Sequence, residues 1–171
     1  MLNQEVVKLL NEQINKELFS AYLYFDMSNY YFNQGLDGFA NWFKIQAQEE
    51  RDHALLFTEY LQNNGAEVVL DAIAKPTHTY PNYKAPLVDA LEHERFVTNS
   101  IHNIYDVASS VKDFRTLEFL NWFVKEQGEE EKNAEGLIVR YDLFAQDGKG
   151  LYLLDNELKT RVYQAPSLVL D

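Results

Sequence analysis

Four stretches of this 171-residue chain repeat inward-facing positions at alternating spacings of three and four. The first runs through Val7, Leu10, Ile14, Glu17, Ala21, Tyr24, Ser28 and Tyr31, and the second through Phe39, Phe43, Gln46, Glu50, His53, Phe57 and Tyr60. The third follows Leu87, Leu91, Glu94, Thr98, Ile101, Tyr105 and Ala108, and the fourth Leu120, Phe123, Gln127, Glu130, Ala134, Leu137, Tyr141 and Phe144. That spacing puts each set on one face of a helix. A helix with one apolar face is stable only when that face is covered, and four such helices cover one another.

The punctuation between the stretches agrees. Gly35 interrupts the first helix after about residue 34, and Asp37 is placed to cap a second from about 38 to 64, with Gly65 as its stop. From Gly65 to Pro86 the rhythm fails and Pro76, Pro81 and Pro86 appear, with Tyr80 and Tyr83 between them. A connection of that length suits a crossover along the bundle, because a helix of about 27 residues is about 40 Å long and some twenty extended residues reach further. Pro86 suits the first turn of a third helix to about Ser110, and Asp113 a cap for a fourth to about Gln146. Gly148 and Gly150 are expected to break the pattern before a short fifth helix that presents Leu151, Leu154 and Leu158. The fold expected is all-α: an antiparallel four-helix bundle with one long crossover and a short fifth C-terminal helix. One domain, 1–171, is expected, with the bundle over about 4–146, the fifth helix over about 150–160 and a tail over 161–171, where docking and fraying are both open.

Composition narrows the chemistry. There are no cysteines, which removes disulfides, thiolate nucleophiles and thiolate metal sites together. With 27 acidic against 15 basic residues the formal net charge is -12, so a nucleic-acid partner is not expected and cations are. No stretch approaches the roughly 20 apolar residues of a membrane span, and Met1 to Glu5 lead straight into the helical rhythm, so neither a membrane nor a secretory leader is expected. A cytoplasmic protein is.

The two halves echo each other. Phe39-x-Asn41-Trp42-Phe43 with Glu49-Glu50 returns as Phe119-x-Asn121-Trp122-Phe123 with Glu129-Glu130. Glu17 precedes Glu50 and His53 by 33 and 36 residues, and Glu94 precedes Gln127 and Glu130 by the same 33 and 36. Both hairpins therefore present polar groups to the bundle axis at matching heights. Taken singly, Glu-Glu-x-x-His is usually a surface helix, Glu129-Glu130-Glu131 a solvated face, and His53 or Tyr24 a packed core residue. Agreement across four helices reverses that balance. Four carboxylates in an apolar seam need protons or cations, since each unpaired buried charge costs several kcal/mol, and no lysine or arginine shares the seam. Cations also account for His53, and carboxylates with one imidazole suit iron or manganese. Glu49, Glu126 and Glu129 stand one step off the seam, where they are either exposed or line an adjoining, more open cation site. His93-Glu94 is no metalloprotease motif, because Val97 stands where the second histidine belongs. His78 and His102 read as surface or loop residues.

Asn11-Glu12-Gln13-x-Asn15-x-Glu17, Gln48-Glu49-Glu50-x-x-His53, His93-Glu94, Phe119-Leu120-x-Trp122 and Glu126-Gln127-x-Glu129-Glu130-Glu131 together resemble the prokaryotic haem-free ferritins, from Met1 to about Lys159. The resemblance implies a ferroxidase centre in which Glu17, Glu50 and His53 hold one iron and Glu50, Glu94 and Glu130 a second, with Gln127 beside it. It also implies a third, weaker site near Glu49, Glu126, Glu129 and Glu130, and a role for Tyr24 next to the centre. Members are hollow shells of twenty-four subunits that oxidise ferrous iron with dioxygen or hydrogen peroxide and store ferric oxyhydroxide.

Bacterioferritins differ at Glu130, where they repeat the histidine, and at Arg51, where they supply a haem methionine, so no haem is expected. Rubrerythrin-like proteins need cysteines. The alternatives that remain are a bacterioferritin-like or other di-iron carboxylate redox protein acting on an organic substrate, and a metal-free structural bundle. The tail from Val162 departs from the family pattern.

Overall fold

The computed structural model describes residues 2–77 and 79–170. His78, read above as a loop residue, lies outside them, as do Met1 and Asp171. The described chain forms α1 (Gln4–Asn33), α2 (Asp37–Asn63), α3 (Ala85–Ser110), α4 (Phe114–Phe144) and α5 (Gly148–Leu158). α1 packs on α2 and α3 on α4, each pair antiparallel across a short turn, and α5 sits against α2 and α4. None of these helices is long and apolar enough to cross a membrane.

Local chemistry sets the ends. Asn3 caps α1 by accepting from the Glu5 amide at 2.9 Å, and Asp113 caps α4 by accepting from Thr116 at 3.2 Å. Gly35 and Gly65, at φ of 76° and 68°, supply the left-handed residue that stops α1 and α2. Pro86 lies in the first turn of α3. The crossover from 64 to 84 is held along α1 by asparagines, with Asn11 accepting from the Val69 amide at 2.7 Å and Asn15 donating to the Ala72 carbonyl at 3.1 Å.

Several expectations need correction. Asp37 does not cap α2, because it lies inside the first turn. The cap comes from α5: the buried Asp155 carboxylate accepts from the amides of Gly38 at 2.7 Å and Phe39 at 3.1 Å. The approach is so close that a Cβ at Gly38 would stand 1.7 Å from the Asp155 carbonyl oxygen, so only glycine fits. Gly148 and Gly150 do not precede α5 but form its first turn, with Asp147 accepting from Gly150 at 2.7 Å. α4 ends at Phe144, which is 57% exposed. On α1, Val6 is fully buried and Val7 only half, and Gln13 and Ser20 are buried too. A helix packed against two neighbours buries a wider stripe than a single seam.

The tail is docked. Asn41 donates to the carbonyls of Leu158 at 3.2 Å and Arg161 at 3.1 Å, Trp122 donates to Ser167 at 2.9 Å, and Leu168 and Leu170 pack on the core.

Two apolar clusters make up that core. One gathers Leu10, Ile14, Phe57, Ile101, Leu120 and Phe123, the other Met27, Tyr31, Phe39, Phe43, Leu87 and Leu137. The sequence echo is visible here, since Trp42 meets Phe43 and Trp122 meets Phe123 edge-on with ring centroids 4.9 Å apart in both. Asp155→Ala is expected to lower unfolding free energy by about 1–2 kcal/mol, through loss of the α2 cap. Urea denaturation measures this, and an unchanged midpoint would mean that Asp155 does not join α5 to α2.

Candidate metal centre

Between the two apolar clusters lies a polar layer. The 3.5-residue spacing of the seams carries Glu17 from α1, Glu50 and His53 from α2, Glu94 from α3, and Gln127 and Glu130 from α4 into the interior, where all six are buried. Ligand atoms of Glu17, Glu50 and His53 lie within 4.8 Å of one another, and these residues are 1%, 1% and 2% exposed. Glu17 Oε2, Glu50 Oε1 and His53 Nδ1 have no hydrogen-bond partner. Three buried ligand atoms left without a partner among the described residues are costly unless something else binds them.

The remaining ligand atoms are oriented by amides and a phenol. Gln13 donates to Glu17 Oε1 at 2.8 Å, Gln46 to Glu130 Oε2 at 2.8 Å and Gln127 to Glu94 Oε2 at 3.1 Å, while the Tyr24 hydroxyl donates to Glu94. Glu17 and Glu130 thus have one oxygen each fixed by a neutral donor, Glu94 has both, and none of these donors reaches Glu50. The donors are uncharged, so they hold the carboxylates in place without neutralising them. The His53 ring is walled by Trp122 and Phe123, with centroids 5.6 and 5.9 Å away.

Burial and mutual repulsion push the acidities up. Burial holds Glu50 well above the ordinary carboxylate range, with the charges of Glu94, Glu17 and Glu130 adding to it. Burial raises Glu94 to about 7, against the opposing hydrogen bonds from Tyr24 and Gln127. Burial, then Glu94, raises Glu130 to about 8, against His53 and Gln46. Burial also raises the Tyr24 phenol, followed by the Glu94 and Glu50 charges, so Tyr24 remains a donor.

The outlying residues gather as well. Glu49, Glu126, Glu129 and Glu130 line a cavity of about 470 Å³ beside the layer, together with His53, Trp122 and Asn133, and the chain from Arg161 to Ser167 closes its far side. Burial raises Glu49, with Arg161 lowering it, and burial raises Glu126, with His53 lowering it. His102 is exposed on α3. His93, which the sequence reading left without a function, lies beside the layer with its ring 2.7 Å from the Ser20 hydroxyl.

Two contributors were not foreseen from the sequence. Gln13 stands in the first motif, but only the fold shows it holding Glu17. Arg161 has no seam to mark it, and it reaches Gln46 at 2.5 Å and Glu49 at 2.6 Å across more than a hundred residues.

Known proteins share this architecture. Residues 7–144 match the family description Ferritin-like domain. A bacterial non-heme ferritin of Campylobacter jejuni is 39% identical over 159 residues, covering 93% of this chain and 95% of the relative. A probable bacterial non-heme ferritin-like protein of Haemophilus influenzae is 37% identical over 158 residues, covering 92% and 96%. Among solved structures, an open pore ferritin from the hyperthermophilic archaeon Archaeoglobus fulgidus superposes with a TM-score of 0.92 at 38% identity, covering 95% of this chain and all of that one.

The raised carboxyls predict a pH dependence. A group that keeps its proton in the fold after the unfolded chain has released it makes the fold less stable as pH rises, for Glu130 between 4.5 and about 8. The slope is at most about 1.4 kcal/mol per pH unit for each such group. Metal-free wild type is expected to lose more stability than Glu130→Gln between about pH 5 and about pH 8, as read by chemical denaturation. A difference between the two that stays constant with pH would contradict it.

Proposed function

The chain belongs to the ferritin family, and on that premise we propose that it is an iron-storage ferritin: it oxidises ferrous iron at the polar layer and stores ferric oxyhydroxide inside a hollow shell of twenty-four copies. The observation that carries the reading is the buried cluster of Glu17, Glu50 and His53, which have ligand atoms within 4.8 Å of one another and each keep one atom that no described residue pairs. Oxygen and nitrogen donors without thiolates suit ferrous ion. Protons alone would leave the imidazole without a purpose.

In this proposal iron is the substrate, and the chain works as one cytoplasmic domain. Glu17 and His53 take one ferrous ion, Glu94 and Glu130 a second, with Gln127 beside it, and Glu50 is shared. Glu50 suits the shared position because the charges of Glu17, Glu94 and Glu130 all act on it. Binding displaces the carboxyl protons that burial retains. The two ferrous ions lose one electron each. Dioxygen accepts the pair with two protons and leaves as hydrogen peroxide, or hydrogen peroxide accepts the pair with two protons and leaves as two waters. The amides of Gln13, Gln46 and Gln127 and the Tyr24 hydroxyl keep the carboxylates in register as the ion charge changes, so the bundle itself need not move. A third, weaker ion is held near Glu49, Glu126, Glu129 and Glu130 on the way out. Haem has no part in the reaction, since Arg51 is exposed and paired with Asp52 where haem-binding relatives carry a methionine.

Glu50→Ala and Glu17→Ala are expected to slow the initial aerobic oxidation of ferrous iron at least tenfold in stopped flow, with unchanged helical circular dichroism. Initial rates equal to wild type would contradict the site. On a sizing column the native protein is expected to elute as a shell, and elution as a monomer or dimer would contradict storage.

A further inference from the structure

Docking and fraying are both compatible with the sequence of the tail, and the fold places it across the mouth of the acidic cavity. Its first anchor is Asn41, which donates to the Leu158 and Arg161 carbonyls. Its far anchors are the Tyr163 hydroxyl, donating to Asp52 at 2.5 Å, and Ser167, accepting from Trp122. Between these points the chain spans the cavity, with Glu49, Glu126 and Glu129 on the opposite side.

Arg161 reaches in from this span. Its guanidinium donates to the Trp42 carbonyl at 3.1 Å, to Gln46 Oε1 at 2.5 Å and to Glu49 Oε2 at 2.6 Å, and it stacks 4.7 Å from the Trp42 ring centroid. A side chain held by three acceptors and an aromatic face is fixed in place. Its other partner links it to the centre, because the Gln46 amide that accepts from Arg161 also donates to Glu130 Oε2 at 2.8 Å.

We propose that the segment from 159 to 170 is a strap carrying a tethered cation, the Arg161 guanidinium, which occupies the Glu49 corner of the cavity until a divalent cation replaces it. One guanidinium against Glu49, Glu126 and Glu129 leaves the cavity net negative, so it still attracts a divalent ion. That ion and Arg161 compete for the same Glu49 oxygens. Arrival of the ion releases Arg161 from Gln46, and Gln46 in turn loses the restraint that orients it toward Glu130. Arg161 is thus a positioning residue for Glu130 and a competitor for the outer ion, and the strap makes passage between centre and exterior an exchange of cations. The inference rests on the reading that the polar layer holds two ions.

Zinc binding to the assembled full-length protein, followed by calorimetry, separates the two claims. In wild type two ions bind tightly and a third weakly. Arg161→Gln, which keeps a donor and removes the charge, is expected to tighten the third ion at least tenfold. Arg161→Lys, which keeps the charge, is expected to leave it weak, and Glu49→Gln added to Arg161→Gln to abolish the gain. Two tight ions with a third that Arg161→Gln leaves unchanged or weakens would overturn the strap alone. Absence of the two tight ions in wild type would overturn the centre and the strap with it.

Discussion

Four glutamates share one dry layer at mid-height of the bundle, and their mutual repulsion governs how the surrounding structure is arranged. Glu50 experiences the charges of Glu17, Glu94 and Glu130 together, and among the described residues no lysine or arginine is buried with them. Left charged and unpaired, each carboxylate in such a layer would cost several kcal/mol. Neutral donors, Gln13, Gln46, Gln127 and Tyr24, meet one oxygen of Glu17, one of Glu130 and both of Glu94, which fixes geometry and leaves the charge to be answered by protons or metal. The structure pairs stable ends with an electrostatically unfinished middle. The apolar clusters above and below hold the helices in register while the middle changes its charge state.

Much of this was legible because a helical seam converts spacing into depth. On α2 every position from Phe39 to Tyr60 in the 3-4 pattern is buried, including Gln46, Glu50 and His53, and the matched offsets of Glu17 and Glu94 put all four helices in phase. The reading weakened wherever periodicity no longer bears on packing. Thr98 and Tyr105 are only half-buried because α3 buries Val97 and Ile104 more deeply, one step around the helix, and Phe144 is exposed. Asp155 capping α2 from α5 had no local signal at all, since a cap supplied from another element obeys no spacing rule. The same holds for Arg161: the tail has no period, so its course along α2 and α4 depends on tertiary contacts alone.

The duplicated halves carry unequal loads. Trp42 and Trp122 occupy equivalent places with the same edge-on partner, yet the tail uses them differently, stacking Arg161 on one and accepting through Ser167 from the other. In the echo that pairs Trp42 with Trp122, Asn133 stands where His53 would, and Glu130 is held by Gln46. Glu17, Glu50 and His53 bring two carboxylates and an imidazole together, and the acidic cavity opens beside His53 and Glu130.

Proton release on metal binding tests the central claim most directly, because burial raises the carboxyl of Glu50, that of Glu130 to about 8 and that of Glu94 to about 7. Zinc titrations near neutral pH, in buffers of different ionisation enthalpy, give the number of protons expelled as the two proposed sites fill. The account predicts about two or more per subunit, falling as the pH is raised above about 8. Tight binding of two ions with no protons released, at any pH, would contradict it.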